Sequence, residues 1–311
     1  MADQPLVTIG VPVYNEARYI HESMKTLLSQ SYSNIEFLIG DNASNDGTSE
    51  ICEKYASEHP TIRYVRHPEN IGQHANFNWL VHHAKGKYFC WGSAHDLLDP
   101  DFVEKSVEAL ENRPEAVLGY PRTINMTKEG EITREKVRPF DITKMPPAAR
   151  FREVMWRVDC NYVYGMWRLE PMQQSKVFQQ FPACDRVFLA EMAIKGTFVP
   201  VDTFKYYRMS RERVESEVEK RRRIMHYLTP GKVWTDAELA HRSFYAPMQR
   251  AYYAIIRESR LSLSDRLRTY TSIWLSGVMK AHLLPGAGLL SALTKKILPK
   301  PLLNALMRTM Q

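Results

Sequence analysis

The sequence predicts an α/β fold, with an open, mostly parallel, doubly wound sheet over residues 1–208 and a basic helical region over residues 209–311. The first observation behind this prediction is the alternation of short β-rich runs with amphipathic helical segments, which starts at Leu6. Strands and helices that alternate at this spacing imply parallel pairing through right-handed crossovers. The second observation is that apolar residues beyond residue 208 recur mainly at helical spacing.

Each element follows from its local pattern. Apolar runs predict strands at Leu6–Val13, Ile35–Gly40, Ile62–Arg66, Tyr88–Trp91, Ala116–Ile124, Tyr162–Arg168, Phe198–Val201 and Phe204–Tyr207. Helical spacing predicts helices from Ile20 and at Ser49–Ala56, Ala75–Ala84, Phe102–Leu110 and Asp185–Lys195. Asp99 and Pro100 predict the start of the fourth helix, and Gly196 predicts the end of the fifth. A hairpin turn is expected at Lys128–Glu131, and a loop at Arg138–Pro147.

The composition is typical of a globular protein in a reducing compartment. The chain has 311 residues and a hydrophobic share of 44%, which is enough for a sizeable core. Its four cysteines contain no CxxC pair, so they indicate neither a zinc site nor a disulfide framework. The first residues lack a signal-peptide pattern, and no run approaches the ~18 apolar residues of a spanning helix. We therefore expect a cytoplasmic protein.

Positive charge is concentrated in the last third of the chain. The net charge of +7 comes from residues 206–311, which contain 19 Lys and Arg residues against 8 Asp and Glu residues. From Arg266 to the end, the chain has seven basic residues and no acidic one. Such an asymmetry indicates an anionic surface as a partner. Because no nucleic-acid-binding motif accompanies the charge, we expect no nucleic acid among the partners.

Polar residues follow the predicted parallel strands. Asn15 and Glu16 follow the first strand, and Asp41 follows the second. Ligands bind at this edge of open α/β sheets. Asp41 can accept a hydrogen bond from a uracil imide or a ribose hydroxyl; the alternative is that it caps the turn at 41–48. A dehydrogenase is disfavoured because the first turn is PVYNE rather than GxGxxG.

The fourth strand delivers an imidazole and a carboxylate to the same edge. Tyr88–Trp91 is followed by three small residues and then by His95 and Asp96. A histidine beside an aspartate can hold a divalent cation on a diphosphate. The alternative is that Asp96 caps a turn and His95 is a solvated loop residue.

Several short motifs occur in an order that is typical of one enzyme family. They are PVYNE at 12–16, DNASNDGT at 41–48, Asn70 and Gly72 with downstream Asn76 and Asn78, and the loop at 93–100. On these motifs the chain resembles inverting glycosyltransferases of family 2, which have the GT-A fold (a Rossmann-like α/β fold), over about residues 5–208.

The resemblance implies a reaction and a set of binding residues. Family members transfer a sugar from a nucleotide-sugar, usually a UDP-sugar, with inversion at the anomeric carbon. Carried over to this chain, the nucleoside pocket would be lined by Pro12, Tyr14, Glu16 and Asp41. Its floor would be shaped by Asn70 and Gly72.

One motif departs from the family's pattern. Where the family has aspartate-any-aspartate, this chain has Ser93-Ala94-His95. Ser93 replaces the carboxylate that usually meets the ribose, and His95 replaces the one that usually holds the metal. Imidazole is a competent ligand for Mn²⁺ and a weaker one for Mg²⁺, and Asp96 is within reach. We therefore expect a divalent cation, Mn²⁺ or Mg²⁺, at His95 and Asp96; the alternative is a cation-free site in which basic residues neutralise the diphosphate.

The catalytic base is expected on the acceptor side. Inverting transfer is a single displacement, so one carboxylate must take the proton of the acceptor hydroxyl. The family places this group in a Glu-Asp pair that opens a helix, and Asp185 matches that aspartate; a helix N-cap is its alternative role. Glu191 is the second candidate. Family members often have a histidine downstream that reaches the diphosphate. This chain has no histidine there, so Arg208 or Arg211 is expected to bind the diphosphate instead; the alternative is that these arginines are solvated.

The C-terminal tail indicates where the protein works. From Leu283 to Met310, leucines alternate with basic residues around proline and glycine breaks, as in helices that lie in a bilayer interface. The alternative is packing on its own domain or on a second subunit of a homo-oligomer. We therefore place the protein in the cytoplasm, peripheral on the inner face of the plasma membrane.

These observations together predict an inverting glycosyltransferase of the hexosyltransferase type. Its acceptor would be a glycan or a lipid-linked sugar in bacterial surface polysaccharide or glycolipid synthesis. The rival is a non-catalytic nucleotide-sugar-binding or scaffolding protein that has lost its metal site. Retention of Asp41, Asp96 and Asp185 argues against such a loss.

Overall fold

The structure is a computed structural model that describes residues 4–94, 96–126, 132–136, 140–209, 215–241, 243 and 245–282. Its contacts group the chain into two compact units, residues 1–244 and residues 245–311. The first unit therefore contains the sheet and the two helices that follow it. The predicted division at residue 208, between a catalytic and a helical part, stays a prediction about function.

The first unit is built on one sheet. Its strands are β1 Val7–Val13, β2 Ile35–Asp41, β3 Ile62–Arg66, β4 Tyr88–Trp91, β5 Asp96–Leu98, β6 Ala116–Met126, β7 Ile132–Lys136, β8 Met166–Arg168 and β9 Thr197–Met209. Its helices are α1 Ile20–Leu28, α2 Thr48–Glu58, α3 Gln73–His83, α4 Phe102–Glu111, α5 Pro147–Arg157, α6 Leu169–Gln173, α7 Cys184–Lys195, α8 Glu217–Leu228 and α9 Asp236–His241, with a 3-10 helix at Cys160–Tyr164. The second unit contains α10 Tyr245–Glu258 and α11 Leu263–His282.

The strand order confirms the predicted α/β fold. Along the sheet it is β3-β2-β1-β4-β8-β6-β9-β5, with β7 beside β6. The first four strands pair in parallel, because a helix returns the chain to the same end of the sheet after each strand. Beyond β4 the pairing is mixed: β8 is antiparallel to β4 and β6, β5 is antiparallel to β9, and β6 is parallel to β9.

The core lies on both faces of these first four strands. In β1, Val7, Ile9 and Val11 are fully buried, and so is Thr8 on the opposite face. The buried Thr8 hydroxyl accepts a hydrogen bond from Gly86 N at 2.9 Å, as a buried polar group requires. A strand that is buried on both faces gives the residues at its end a rigid base.

The strand predicted at Tyr162–Arg168 is only partly correct. The strand covers Met166–Arg168, and the residues before it form the 3-10 helix. Asp159 caps that helix by accepting a hydrogen bond from Asn161 N at 3.0 Å, a local contact that competes with strand pairing. The two strands predicted at 198–201 and 204–207 are one strand, β9, whose register against β6 shifts after Pro121.

Helix boundaries also differ from the predictions. α5 is absent from the sequence predictions, although Pro147 occupies a first-turn position that suits proline. Asp101, not Asp99, is the N-cap of α4. Gly196 is extended, with φ of −165°, so it is not the left-handed C-terminal residue expected there. A Cβ at Gly196 would lie 2.8 Å from the carbonyl oxygen of Glu115, so close packing against the start of β6 explains this glycine.

Helices α8 to α11 confirm the helical prediction for the described part of the C-terminal region. No helix among the described residues is long and apolar enough to cross a bilayer. The predicted turn at Lys128–Glu131 lies outside the described residues, although β6 and β7 on its two sides form an antiparallel pair. The basic tail at Leu283–Met310 also lies outside them.

Candidate active site

The carboxyl ends of β1, β2 and β4 lie side by side at one edge of the sheet, because these strands are adjacent and parallel. Val13 pairs with Asp41 at the ends of β1 and β2. Pro12, Tyr14 and Glu16, which the resemblance assigns to the nucleoside pocket, are half-buried there. The backbone therefore brings together the residues that follow these strands.

Asp41 is enclosed by the chain. Its side chain is fully buried, and its carboxylate accepts hydrogen bonds from Ser44 N at 2.9 Å, Ser49 Oγ at 2.5 Å and Tyr64 Oη at 2.7 Å. Arg66 Nε lies 3.8 Å from the same carboxylate. Burial raises the pKa of Tyr64, so its phenol stays a proton donor at neutral pH. Asp41 therefore fixes the turn after β2, which is one of the two roles that its sequence position predicts.

The turns after β1 and β2 are joined by hydrogen bonds. Asn15 N donates to Ser44 Oγ at 3.0 Å, and Asn15 Oδ1 accepts from Asn45 N at 2.9 Å. Glu16 N donates to Thr48 Oγ1 at 2.8 Å. Asn15 has φ of 55°, a left-handed conformation that asparagine tolerates better than most residues. These contacts explain why the motifs at 12–16 and 41–48 occur together.

The loop at Asn70–Gly72 is tied to the turn after β2 by an asparagine pair. Asn42 Nδ2 donates to Asn70 Oδ1 at 2.8 Å, and Asn42 Oδ1 accepts from Ile71 N at 2.9 Å. Gly72 has φ of 89°. A Cβ at Gly72 would lie 3.3 Å from the carbonyl oxygen of Leu228, the last residue of α8. Both the backbone conformation and the close approach therefore favour glycine.

The turn after β4 is buried. Ser93 and Ala94 are 7% and 2% exposed, and the Ser23 hydroxyl of α1 donates a hydrogen bond to the carbonyl oxygen of Ser93. Asp96 is also buried and begins β5, where it pairs with Arg208 of β9. The backbone thus joins the predicted cation ligand to one of the predicted diphosphate-binding arginines.

Two predicted site residues, His95 and Arg211, lie outside the described residues, and Arg208 is described by its backbone alone. Within the described part of the chain, no group of three or more His, Cys, Asp and Glu residues could hold a metal ion. The cation ligands His95 and Asp96 therefore stay a prediction.

A cavity of about 330 Å³ lies next to this edge. It is lined by Gln73, His74, Phe77, Cys160, Asn161, Val163, Tyr164, Phe178, Ala183, Cys184, Asp185 and Arg186. Phe77 and Phe178 pack against Trp91, the last residue of β4, with ring centroids 5.6 Å and 4.9 Å from the indole. The cavity wall is therefore continuous with the carboxyl end of β4. Aromatic walls with a few polar groups are typical of small-molecule sites.

Asp185 lines this cavity, and Glu191 is not among its lining residues. Ala183, with φ of 59°, occupies the N-cap position of α7, so the capping role predicted for Asp185 is wrong. Asp185 lies within the first turn, where its Oδ1 accepts a hydrogen bond from Arg186 N at 2.8 Å. A carboxylate is favoured there by the helix dipole. Glu191 lies six residues farther along α7, a rise of about 9 Å.

His74 is a neutral polar group on the cavity wall. Its Nδ1 lies 2.8 Å from the carbonyl oxygen of Gln179, and because a carbonyl can only accept, Nδ1 carries the proton. Burial lowers the pKa of His74, against opposing effects of the Gln179 hydrogen bond and of Asp185. Nε2 is therefore the unprotonated nitrogen at neutral pH, and it lies 3.5 Å from Cys184 Sγ.

Two cysteines lie beside Asp185. Burial, reinforced by the charge of Asp185, raises the pKa of Cys160 to about 12 and that of Cys184 well above its usual value. Both thiols are free and protonated at neutral pH. Cys160 and Cys184 both line the cavity together with Asp185, so two protonated thiols lie on the same wall as the carboxylate.

His74 and the 3-10 helix line this cavity, and the sequence motifs do not predict either of them. His74 is two residues from Gly72, so the motif at 70–72 marks its neighbourhood. No local pattern marks Cys160 or Asn161, since the contacts that bring them to α3 and α7 are long-range.

A comparison with protein families agrees with the motifs. The sequence model of the family described as glycosyl transferase family 2 matches residues 8–167, which is just over half of the chain. The chain belongs to glycosyltransferase family 2. The matched part of this family 2 chain contains the strand ends and Asp96 and ends before Asp185.

The curated relatives of this family 2 chain match it in part. An uncharacterized glycosyltransferase of Rickettsia bellii is 40% identical over 108 residues, which cover 34% of this chain and 15% of the relative. The putative glycosyltransferase EpsE of Bacillus subtilis is 36% identical over 112 residues, which cover 36% of this chain and 40% of EpsE. The match therefore spans less than half the length of these relatives.

Solved structures resemble more of the family 2 chain. S. aureus TarS 1–349 in complex with UDP-GlcNAc has a TM-score of 0.59 at 15% identity, covering 86% of this chain and 71% of that one. The mannosyltransferase PcManGT from Pyrobaculum calidifontis, in complex with GDP-Man and Mn²⁺, has a TM-score of 0.52 at 19% identity, covering 99% and 84%. These similarities confirm the GT-A fold.

Proposed function

We propose that the family 2 chain is an inverting glycosyltransferase that moves a sugar from a UDP-sugar to a hydroxyl group of a glycan or a lipid-linked acceptor. The observation that carries this proposal is the position of Asp185. It lines a cavity of about 330 Å³ whose wall is continuous with the end of β4. A carboxylate beside a cavity that adjoins the ligand-binding edge of the sheet is well placed for acid–base chemistry.

In this proposal the acceptor sugar occupies the cavity, and Asp185 is the base. The acceptor oxygen attacks the anomeric carbon of the donor, and Asp185 takes the hydroxyl proton. The new glycosidic bond forms as the bond between the anomeric carbon and the phosphate oxygen breaks, and the diphosphate leaves with that electron pair. The orientation of the base is restrained by its own helix, because Arg186 N donates a hydrogen bond to Asp185 Oδ1 at 2.8 Å.

We assign the donor to the edge formed by β1, β2 and β4. The nucleoside would contact Pro12, Tyr14, Glu16 and Asp41, above a floor formed by Asn70 and Gly72, with Ser93 and Ala94 near the ribose. The assignment of uridine rests on the family resemblance. TarS was solved with UDP-GlcNAc and PcManGT with GDP-Man, so a test of the donor should include both nucleotides.

We propose that a divalent cation, Mn²⁺ or Mg²⁺, binds the diphosphate with His95 and Asp96. Such a cation usually takes one or two protein ligands and completes its shell with phosphates and water, so it needs no cluster of three protein ligands. The buried Asp96 carboxylate fits this requirement, and the related fold PcManGT was solved with Mn²⁺. The cation would neutralise charge on the leaving diphosphate; without one, Arg208 or Arg211 would carry that role.

We place the reaction on the inner face of the plasma membrane, in the synthesis of a bacterial surface polysaccharide or glycolipid. The support is electrostatic, because residues 206–311 contain 19 basic against 8 acidic residues. Anionic lipids of the cytoplasmic leaflet attract such segments. A lipid-linked acceptor would be presented at the same surface.

The test is a donor panel with the full chain. UDP-Glc, UDP-GlcNAc, UDP-Gal and GDP-Man are incubated with Mn²⁺ and with glycan or lipid-linked acceptors, and nucleotide release is measured. We expect acceptor-dependent release from a UDP-sugar, and slower release after addition of EDTA. Tight UDP-sugar binding without turnover on any acceptor would instead support the non-catalytic binding protein.

A further inference from the structure

Helix α11 of the second unit exposes large apolar residues and buries polar ones, the reverse of the usual pattern. Among its residues up to 277, whose burial is described, the buried ones are Thr269, Ile273 and Ser276, at 0%, 0% and 4% exposed. Three of its large apolar residues face outward: Leu263, Leu267 and Trp274 are 74%, 57% and 50% exposed. Surface helices usually bury such residues and expose polar ones. The outward apolar residues of α11 therefore need an explanation.

These residues form a stripe along α11. With about 100° of rotation per residue, Leu263, Leu267 and Trp274 fall within about 40° of one another. Tyr270 lies in the same sector and packs on Tyr253 of α10, with ring centroids 5.5 Å apart. The stripe extends over about three turns, or about 16 Å. A contiguous apolar surface of this kind marks an interaction site, whereas isolated exposed leucines do not.

The charges beside this stripe are positive. Arg268 is exposed on one side of it, and Arg266, on the other side, donates a hydrogen bond to the carbonyl oxygen of Ser259. The one acidic residue in the sequence of α11, Asp265, falls on the opposite side of the helix, where its carboxylate accepts a hydrogen bond from Ser262 Oγ at 2.8 Å. From Arg266 to Gln311, the chain has seven Lys and Arg residues and no Asp or Glu. All of the stripe beyond Leu263 therefore lies in a part of the sequence in which positive charge has no acidic counterpart.

Charge decides which partner fits the stripe. A second copy bound through the same face would bring two such basic segments together, and like charges repel. The tail at 283–311 carries the same sign, so it is a poor cover for the stripe. An anionic lipid surface has the opposite sign and attracts each Lys or Arg that lies near it. Tryptophan is enriched at membrane–water interfaces, where its ring is in contact with both lipid and water.

We propose that α11 lies on an anionic lipid bilayer, with Leu263, Leu267 and Trp274 inserted at the boundary between headgroups and acyl chains. Arg266 and Arg268 then lie at the level of the phosphates. A helix with an apolar stripe flanked by arginines binds in this way without crossing the membrane. The inference sharpens the proposed membrane location, and because its test measures lipid contact, it stands or falls separately from sugar transfer.

The first experiment maps lipid contact with the whole 311-residue chain. Vesicles of phosphatidylcholine and phosphatidylglycerol, with bromine on the acyl chains near the headgroups, quench tryptophans that insert. We expect the wild type to sediment with these vesicles and to lose fluorescence. Trp274→Phe should still bind but should lose most of this quenching, because the other five tryptophans lie outside α11. Full quenching in Trp274→Phe would overturn the proposal.

The second experiment removes the stripe. The variant with Leu263→Gln, Leu267→Gln and Trp274→Gln should bind the anionic vesicles more than tenfold more weakly, because glutamine gains nothing from insertion. All three positions are half exposed or more, so the variant should fold, which circular dichroism checks. Val233→Gln is the matched control, since Val233 is 88% exposed and lies outside α11; it should bind as the wild type does.

Three results would overturn the assignment to lipid. The first is equal vesicle binding by the triple variant and the Val233→Gln control. The second is equal binding of the wild type to vesicles of phosphatidylcholine alone, which would show that the charge plays no part. The third is a dimer in sedimentation velocity that the triple variant converts to a monomer while vesicle binding is unchanged, which would make the stripe a subunit interface.

Discussion

The two halves of the candidate active site use their polar side chains in different ways. At the sheet edge, Asp41 accepts hydrogen bonds from Ser44, Ser49 and Tyr64, and an asparagine pair joins the neighbouring loops. In the cavity, the Asp185 carboxylate accepts a hydrogen bond from the first turn of its own helix. The edge is therefore a scaffold built by its own motifs, whereas Asp185 lines an open cavity.

This difference predicts how substitutions act. At the edge, one residue supports both the fold and the bound donor, so a change there should lower stability and affinity together. In the cavity, a change at Asp185 should act on the reaction while the fold and the donor site stay intact. Measuring stability, donor binding and transfer for the same variants separates the two halves.

The largest expected effect is on transfer by Asp185→Asn. Asparagine keeps the shape and can still accept from Arg186 N, but it cannot take a proton, so the transfer rate should fall by ~10²–10⁴-fold. Glu191→Gln is the matched control on the same helix and should keep its rate within about threefold. An Asp185→Asn variant that keeps most of its transfer rate, or a Glu191→Gln variant that loses it, would assign the base to another carboxylate.

Asp41→Ala should show the combined effect expected at the edge. The substitution leaves the hydroxyls of Ser49 and Tyr64 and the amide of Ser44 without their acceptor, so the free energy of unfolding should fall by about 3 kcal/mol. UDP affinity should weaken by more than tenfold if the carboxylate also accepts from uracil. Urea denaturation and calorimetric titration measure the two effects. A loss of stability with unchanged UDP affinity would leave Asp41 with the structural role alone.

Alanine substitutions at two glycines compare the cost of backbone strain and the cost of close packing. Gly72 and Gly231 both have positive φ, 89° and 79°, so alanine should cost at least about 1 kcal/mol at either position. Gly72 also has ψ of 152°, a combination with positive φ that essentially only glycine adopts, so its backbone strain adds to the difference. At Gly72 the new Cβ would also lie 3.3 Å from the Leu228 carbonyl oxygen, whereas nothing lies within 4 Å at Gly231. Gly72→Ala should therefore lower the free energy of unfolding by about 1 kcal/mol more. Equal losses would show that α8 does not confine this loop.

His74 makes stability depend on pH. Burial lowers its pKa in the folded state, so below the unfolded-state value of about 6.5 the unfolded chain binds more protons than the folded one. The contribution of His74 to stability is therefore present above about pH 6.5 and is lost as the pH falls through the folded-state pKa. Urea titrations between about pH 5 and 7 should show a shallower slope for His74→Gln than for the wild type. Identical slopes would mean that His74 is not held neutral by burial.

The sequence predicts the edge well because each of its parts is local. Hydrogen bonds from Asn45 to Asn15 and from Asn42 to Asn70 join three short motifs whose residue order is visible in the chain. The first four strands alternate with helices, so their parallel pairing follows from periodicity and handedness. The family pattern also predicts Asp185 as the base, which stays a prediction; the structure places Asp185 on the cavity wall, and the N-cap role is wrong because Ala183 occupies that position.

The rest depends on contacts that no short pattern contains. The cavity joins His74, Cys160 and Asp185, which lie far apart in the chain. The aromatic run at 162–168 has the composition of a strand, yet its first residues form a 3-10 helix because Asp159 caps them and Tyr162 stacks on Tyr120, with ring centroids 4.1 Å apart. The helical spacing of the stripe residues on α11 is visible in the sequence, but only their exposed fractions in the structure show that they face outward.

We propose that the donor edge and the acceptor cavity are separate halves and that Asp185 acts in the second alone. Calorimetric titration of UDP and the UDP-sugar into Asp185→Asn separates the two halves. We expect dissociation constants within about twofold of the wild type, because the Asp185 carboxylate is hydrogen-bonded within α7. A loss of donor affinity of more than about tenfold would contradict it, by placing Asp185 in the donor site.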